Sequence, residues 1–179
     1  MMRTAMDAAA RHHALHHPLM RTTQFRDVDE LCNHLVHVRD YEEAIALIEG
    51  DPVLDLGCNS GYGTAQLTQR FTRVFGVDVS ARAISEAERR YSESGAVFGK
   101  VDGRTLPFAD RSFGAVVSFQ VIEHIPDLTP YLSEVRRVLR PGGRAIFTTP
   151  NAKVRLDPGM KPWNPFHVVE FTADTLRRS

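Results

Sequence analysis

The sequence predicts an α/β protein with a doubly wound parallel sheet. Along residues 53–148, short apolar runs alternate with segments of helical periodicity, as strands joined by crossover helices do. The first run, Val53-Leu54-Asp55-Leu56, breaks into a glycine-rich turn, Gly57-Cys58-Asn59-Ser60-Gly61-Tyr62-Gly63. A second run, Val74-Phe75-Gly76-Val77, ends in Asp78, about 20 residues on, where a strand-turn-helix-strand unit places its acid. Right-handed crossovers with helices on both faces give the strand order 3-2-1-4-5, with a ligand at the switch point between strands 1 and 4.

The elements follow in order. Val28, Leu31, Leu35, Val38, Ala44, Ile45 and Ile48 recur at helical spacing, which predicts helix over 28–48 in two pieces around Asp40. Strand 1 leads through the glycine turn into a helix over 62–70, then strand 2 over 74–77. Ser80 caps the next helix, which carries Ala83, Ile84, Ala87 and Tyr91 on one side. Gly95 starts a third strand over 96–101, Phe113–Phe119 form a fourth, and residues 128–139 a helix. A fifth strand over 144–148 is entered through Pro141-Gly142-Gly143. Residues 1–25 read as a flexible tail and 26–179 as one domain.

Length and composition fit that reading. The chain has 179 residues, 42% hydrophobic and 25% charged, so it is long enough for one real core. Its 22 Lys and Arg balance 22 Asp and Glu, which argues against a nucleic-acid partner, since a phosphate-binding face needs a basic excess. Arg136, Arg137 and Arg140 stand at one helix end, where they complement the helix dipole. No apolar run has the length of a membrane span. Cys32 and Cys58 make no disulfide framework, and a cytoplasmic setting is expected. His12-His13 and His16-His17 lie in the tail; His13 and His17 would share a helix face, but no carboxylate is near in sequence, and no metal site is expected.

The turn carries the chemistry. Glycines let backbone approach a ligand where a Cβ would collide, and the N–H groups opening the next helix favour a negative group. Asp78 can accept from both hydroxyls of a ribose, so the unit suits a nucleoside cofactor. The turn is not G-x-G-x-x-G, and Asp55 sits two residues before the first glycine. On these residues the chain resembles the class I S-adenosylmethionine-dependent methyltransferases, small-molecule type, with their acid-x-Gly-x-Gly-x-Gly motif and Rossmann-like sheet. The resemblance implies that S-adenosyl-L-methionine is the cofactor. Asp55, Gly57, Cys58, Asn59, Gly61 and Tyr62 would surround its methionine part, Asp78 and Val79 its ribose, and Gln120 would add a contact. Asn59 replaces the middle glycine, and Asn visits left-handed backbone more readily than other non-glycine residues.

Further positions follow from the same resemblance. Asp102 would accept from the adenine amino group and the Gly103 N–H would meet the ring; the alternative is that Asp102 only starts a turn. Leu106-Pro107-Phe108 and Ser112-Phe113 continue the pattern, but Gly114 stands where the family has Asp, which is expected to loosen the start of strand 4. Glu123 and His124, after that strand, would orient substrate, and His124 is a candidate proton acceptor; alternatively both organise the turn. Beyond Thr149-Pro150-Asn151, the stretch Trp163-Asn164-Pro165-Phe166-His167-Val168-Val169-Glu170-Phe171 resembles bacterial stand-alone methyltransferases found with biosynthetic and cell-surface glycan genes. It reads as a substrate lid walled by Trp163, Phe166 and His167, or as a loop that Phe166 and Phe171 anchor to the core. As a metal site His167 and Glu170 lack a third ligand in sequence.

The function implied is methyl transfer to an oxygen, nitrogen or carbon of a small molecule, with His124 or His167 as the base where one is needed. The alternatives are a catalytically inactive cofactor-binding partner subunit or truncated remnant, a protein or RNA methyltransferase, and a nicotinamide binder. The family usually carries two further strands after the helix in which residue 179 falls, and if the sequence is complete they are expected to be missing. That leaves strand 5 with an open edge, expected to be covered by a homodimer or the N-terminal segment, or to mark a truncated product.

Overall fold

The structure is a computed structural model that describes residues 19–20, 22–155, 160, 164 and 166–177. The histidines of the N-terminal tail and Trp163 lie outside the described residues. Helix α1 (Val28–Leu47) is followed by β1 (Val53–Leu56), α2 (Tyr62–Leu67), β2 (Val74–Asp78), α3 (Ala81–Tyr91), β3 (Val97–Lys100) and β4 (Phe113–Phe119). A single 3₁₀ turn, Ile122–His124, leads to α4 (Leu128–Val138), β5 (Leu139–Thr148) and two short helices, α5 (Ala152–Arg155) and α6 (Ala173–Leu176). The five strands run in the order β3-β2-β1-β4-β5, every neighbour parallel.

β1 is buried on both faces along its whole length, as befits the central strand of a covered parallel sheet. Its alternation divides the core. Val53 joins Tyr41, Ala44, Leu67 and Val117 under α1 and α2, whereas Leu54 joins Val77, Val116, Val135 and Val138 under α4. Each such aliphatic side chain removed from water contributes about 1.5–3 kcal/mol, so the sheet is secured from both sides.

Three local expectations are corrected. α1 is one continuous helix, because Asp40 does not break it; its Oδ2 accepts from Thr148 Oγ1 on β5 at 2.8 Å, tying mid-helix to sheet. β5 begins at Leu139, since Pro141-Gly142-Gly143 is absorbed as an irregularity: Phe113 pairs Leu139, and the ladder resumes at Ala115 with Arg144. Gly114 tightens the start of β4 where looseness was expected. A Cβ there would stand 2.5 Å from Gly50 O and 3.2 Å from Asp51 O, so only glycine lets the 50–51 backbone pack so close.

The helix ends are set locally. Asp27, Ser80, Asp127 and Thr172 cap α1, α3, α4 and α6. Phe171 is buried and its residue bridges Asn151, so Phe171 anchors the loop after β5. Among the described residues no helix is long and apolar enough to cross a membrane.

Candidate cofactor and acceptor site

At the C-terminal ends of the strands the sheet opens into one cavity of about 1040 Å³. Ligand pockets span about 300–1,000 Å³, so this one has room for a cofactor and a second molecule. The turn after β1 forms its floor. Gly57 and Cys58 donate N–H bonds to Val77 O at 2.8 and 3.0 Å. Gly57 has φ +88, and a Cβ there would lie 2.5 Å from Val121 Cγ2. Asp78 spans the two loops: Oδ2 accepts from Asn59 N at 2.9 Å and Oδ1 from Ser80 N at 2.8 Å. Since a carboxylate has about four lone-pair sites, ribose hydroxyls can be accepted as well.

Asn59 adopts φ 47, the left-handed backbone expected of it. Its side chain also does what glycine cannot. Oδ1 accepts from Ser60 N at 2.7 Å and from Met20 N at 3.0 Å, while Ser60 Oγ donates to Met20 O at 3.0 Å. The N-terminal segment is thereby stapled to the glycine turn at Met20, which lines the cavity.

Two of the residues expected to surround the cofactor, Asp55 and Gly61, do not reach the cavity. Asp55 is 1% exposed, beneath the turn, where it accepts from Tyr41 Oη at 3.0 and 3.2 Å and from Thr64 Oγ1 at 2.6 Å. Burial pushes its carboxyl up to about 7; the Thr64 and Tyr41 hydroxyls oppose the shift and the charge of Asp78 adds to it. Gly61 shapes the turn from behind: φ is +82, and a Cβ would meet Ala87 Cβ at 2.6 Å and Phe98 at 2.8 Å. Cys58, Tyr62, Val79, Asp102, Gly103 and Gln120 all line the cavity. Burial raises the Cys58 thiol well above its ordinary value, so Cys58 packs as a neutral thiol.

Asp102 both lines the cavity and builds a turn, its Oδ1 accepting from Arg104 N at 2.8 Å and Thr105 N at 3.0 Å. These N–H bonds hold its carboxyl below the usual range. The loop beyond is held by Arg137, whose role exceeds the helix-end position read from sequence. Its five N–H groups reach Glu134 Oε1 and Oε2, Leu106 O, Phe108 O and Asp110 Oδ1 at 2.7–2.9 Å, which saturates a guanidinium.

Gln120 closes β4 with φ 55, its N–H on Thr148 O at 2.9 Å and its Nε2 on Thr148 Oγ1 at 3.3 Å. Beyond it the cavity becomes polar. Glu123 is 1% exposed and accepts from Thr149 Oγ1 at 3.0 Å. His124 Nδ1 lies 3.0 Å from Phe166 O, and His167 Nδ1 lies 2.8 Å from Glu170 Oε1. The two imidazoles meet edge to face with centroids 4.8 Å apart. Sequence reasoning missed the cavity walls supplied by Asn33 and His37 of α1 and by Tyr131 and Glu134 of α4; no motif marks them, because they come from helix faces packed across the strand ends.

A parallel sheet in this order, with a glycine turn and a strand-end acid facing one cavity, defines an α/β protein for a nucleoside cofactor. Residues 54–147, more than half of the chain, match the family described as methyltransferase domain, and the chain belongs to that family, the class I S-adenosylmethionine-dependent methyltransferases. It is 37% identical over 137 residues to a probable S-adenosylmethionine-dependent methyltransferase of Mycolicibacterium smegmatis, covering 76% of this chain and 52% of that protein. It is 34% identical over 131 residues to a fatty-acid O-methyltransferase of the same organism, covering 72% and 47%. The YcgJ protein of Bacillus subtilis superposes with a TM-score of 0.70 at 25% identity, over 79% of this chain and 66% of that one. The chain thus spans about half the length of the curated relatives it matches.

The residues present fit S-adenosylmethionine. The Asp78 carboxylate is an acceptor suited to ribose hydroxyls and lines the same cavity as Asp102 and Gly103, and among the described residues the Tyr62 hydroxyl is buried with no hydrogen-bond partner.

Proposed function

We propose that this chain binds S-adenosylmethionine and transfers its methyl group to a nucleophilic oxygen, nitrogen or carbon of a small molecule held beside His124 and His167. The observation that carries this reading is that the glycine turn with Asp78 and the cluster of Glu123, His124 and His167 open into one cavity. When bound, the cofactor supplies a sulfonium methyl that is already electrophilic, so the protein's work is alignment and exclusion of water.

Each residue has a physical task. Asp78 accepts from the ribose, with Val79 against it. The turn from Gly57 to Asn59 and the Tyr62 side chain, which line the cavity, meet the methionine end. Gly103 N–H and the Asp102 carboxylate address the adenine. On the acceptor side, the carbonyl of Phe166 can only accept, so His124 Nδ1 carries a proton and a neutral ring keeps its lone pair on Nε2. That nitrogen is placed to take a proton from an acceptor hydroxyl. The similarity to a fatty-acid O-methyltransferase supports a small oxygen acceptor.

The test is incubation with methyl-labelled S-adenosylmethionine and a panel of fatty acids, hydroxy acids and phenols, read by mass spectrometry. Label on one acceptor class, with stoichiometric S-adenosylhomocysteine, supports the reading. Label found only on protein or RNA, or none from a sample that binds the cofactor, contradicts it.

A further inference from the structure

We infer that Glu123, His124 and His167 bind one divalent transition-metal cation, which receives an oxygen of the methyl acceptor; the acceptor's part in this rests on the methyl-transfer reading above. One ligand atom from each of the three side chains lies within 4.8 Å of the other two. Sequence alone gave His167 and Glu170 without a third ligand, and the fold brings Glu123 and His124 to them from the end of β4.

The hydrogen bonds behind the histidines match a metal site. Phe166 O fixes the proton of His124 on Nδ1, and Glu170 Oε1 does the same for His167. A neutral imidazole then carries its lone pair on Nε2. A ligating histidine is nearly always oriented this way, its second nitrogen donating to a carbonyl or carboxylate that raises its basicity.

An independent observation lies one step further out. The Glu170 side chain is 1% exposed, His167 covers one of its oxygens, and among the described residues Oε2 is buried with no hydrogen-bond partner. A buried carboxylate so thinly satisfied is costly unless positive charge stands close. A cation on His167 Nε2 would polarise the Nδ1–H toward Glu170 and supply that charge.

The donor set chooses the ion. Two imidazoles and a carboxylate suit Zn²⁺, Fe²⁺, Mn²⁺ or Co²⁺, whereas Mg²⁺ and Ca²⁺ prefer oxygen throughout. Bonds of about 2.0–2.2 Å draw ligand atoms nearer than they now stand, so the side chains close inward on binding. All three residues line the cavity, so coordination positions they leave open face the acceptor. With the cation bound, the His124 Nε2 lone pair is on the metal and no longer takes the acceptor's proton; a hydroxyl bound there instead loses its proton to solvent at lower pH than in water, and acceptors with two neighbouring oxygens gain by chelation.

The experiment uses the whole chain, stripped with chelator, then titrated with Zn²⁺ by calorimetry and with Co²⁺ by visible absorption. The variants are His167→Ala, Glu123→Gln, Glu170→Gln and the tail double variant His13→Ala/His17→Ala. The expected result is one cation per chain with Co²⁺ ligand-field bands, unchanged in the tail variant. Affinity should fall at least about tenfold in the other three, the glutamine variants retaining side-chain shape. Absence of binding, or binding lost only in the tail variant, overturns the inference. S-adenosylhomocysteine is titrated into the same samples: if it binds and the metal does not, this inference fails alone; if it does not bind, the methyl-transfer reading fails, whatever the metal does.

Discussion

Asp55→Asn should make the protein's stability rise relative to wild type as pH increases. Asp55 is held at about 7 against an ordinary value of 3.8, chiefly by burial. A carboxyl raised in the folded state binds more protons there than in the unfolded chain, so its contribution is complete below 3.8 and is lost as pH climbs through 7. The whole gap corresponds to about 4 kcal/mol, of which about 2.5 kcal/mol falls between about pH 5 and about pH 8. Asparagine keeps an acceptor oxygen for Tyr41 and Thr64 and does not titrate. Urea unfolding of both proteins at unit pH steps isolates the effect, because every other group cancels in the difference. The difference should grow by about 2–3 kcal/mol in favour of Asp55→Asn across that range. Parallel stability curves would refute the reasoning, since they would mean that Asp55 titrates alike in both states.

Gly63→Ala places a Cβ 1.9 Å from Tyr41 Cζ; the ring must move off Asp55, and urea unfolding should show a loss of about 2–3 kcal/mol although Ala favours a helix by about 1 kcal/mol. Asn59→Gly removes the acceptor for Met20 N and Ser60 N; hydrogen exchange at the Met20 amide should quicken about fivefold or more, the equivalent of about 1 kcal/mol. Arg137→Lys gives up the fork that saturates Glu134 and three loop acceptors, and should cost about 2 kcal/mol at neutral pH. Arg137 holds the Glu134 carboxyl at about 2 against 4.5; a lowered value stabilises above 4.5 and is lost as pH falls toward 2, so the gap between variant and wild type should narrow in acid.

The strands and their order were legible because central parallel strands read as nearly continuous apolar runs, β1 and Phe113–Phe119 above all, interrupted by Asp55 in the first and by Gly114 and Ser118 in the second. The glycine turn and Asp78 were legible because their spacing follows from the geometry of a strand-turn-helix unit. Asp55 misled because a motif marks a position and not a direction. Period-two alternation puts it on the face of Val53, toward Tyr41 and Thr64, and so away from the cavity. Arg136 and Arg137 are alike in sequence, and only the packing of residues 101–112 on α4 singles out the second. The meeting of His124 with His167 has no local signature, since it depends on how the loop after β5 folds back; the His-x-x-Glu spacing disclosed only the pair with Glu170.

The central claim is a cofactor site on the glycine turn and Asp78. Its most direct test is calorimetric titration of the chain with S-adenosylhomocysteine and, separately, with NAD, in wild type and Asp78→Ala. Saturable binding of S-adenosylhomocysteine is expected, weakened at least about tenfold by Asp78→Ala, as loss of a charge-assisted hydrogen bond does, with no binding of NAD. A folded protein that ignores S-adenosylhomocysteine, or binds it equally well without Asp78, would contradict that claim.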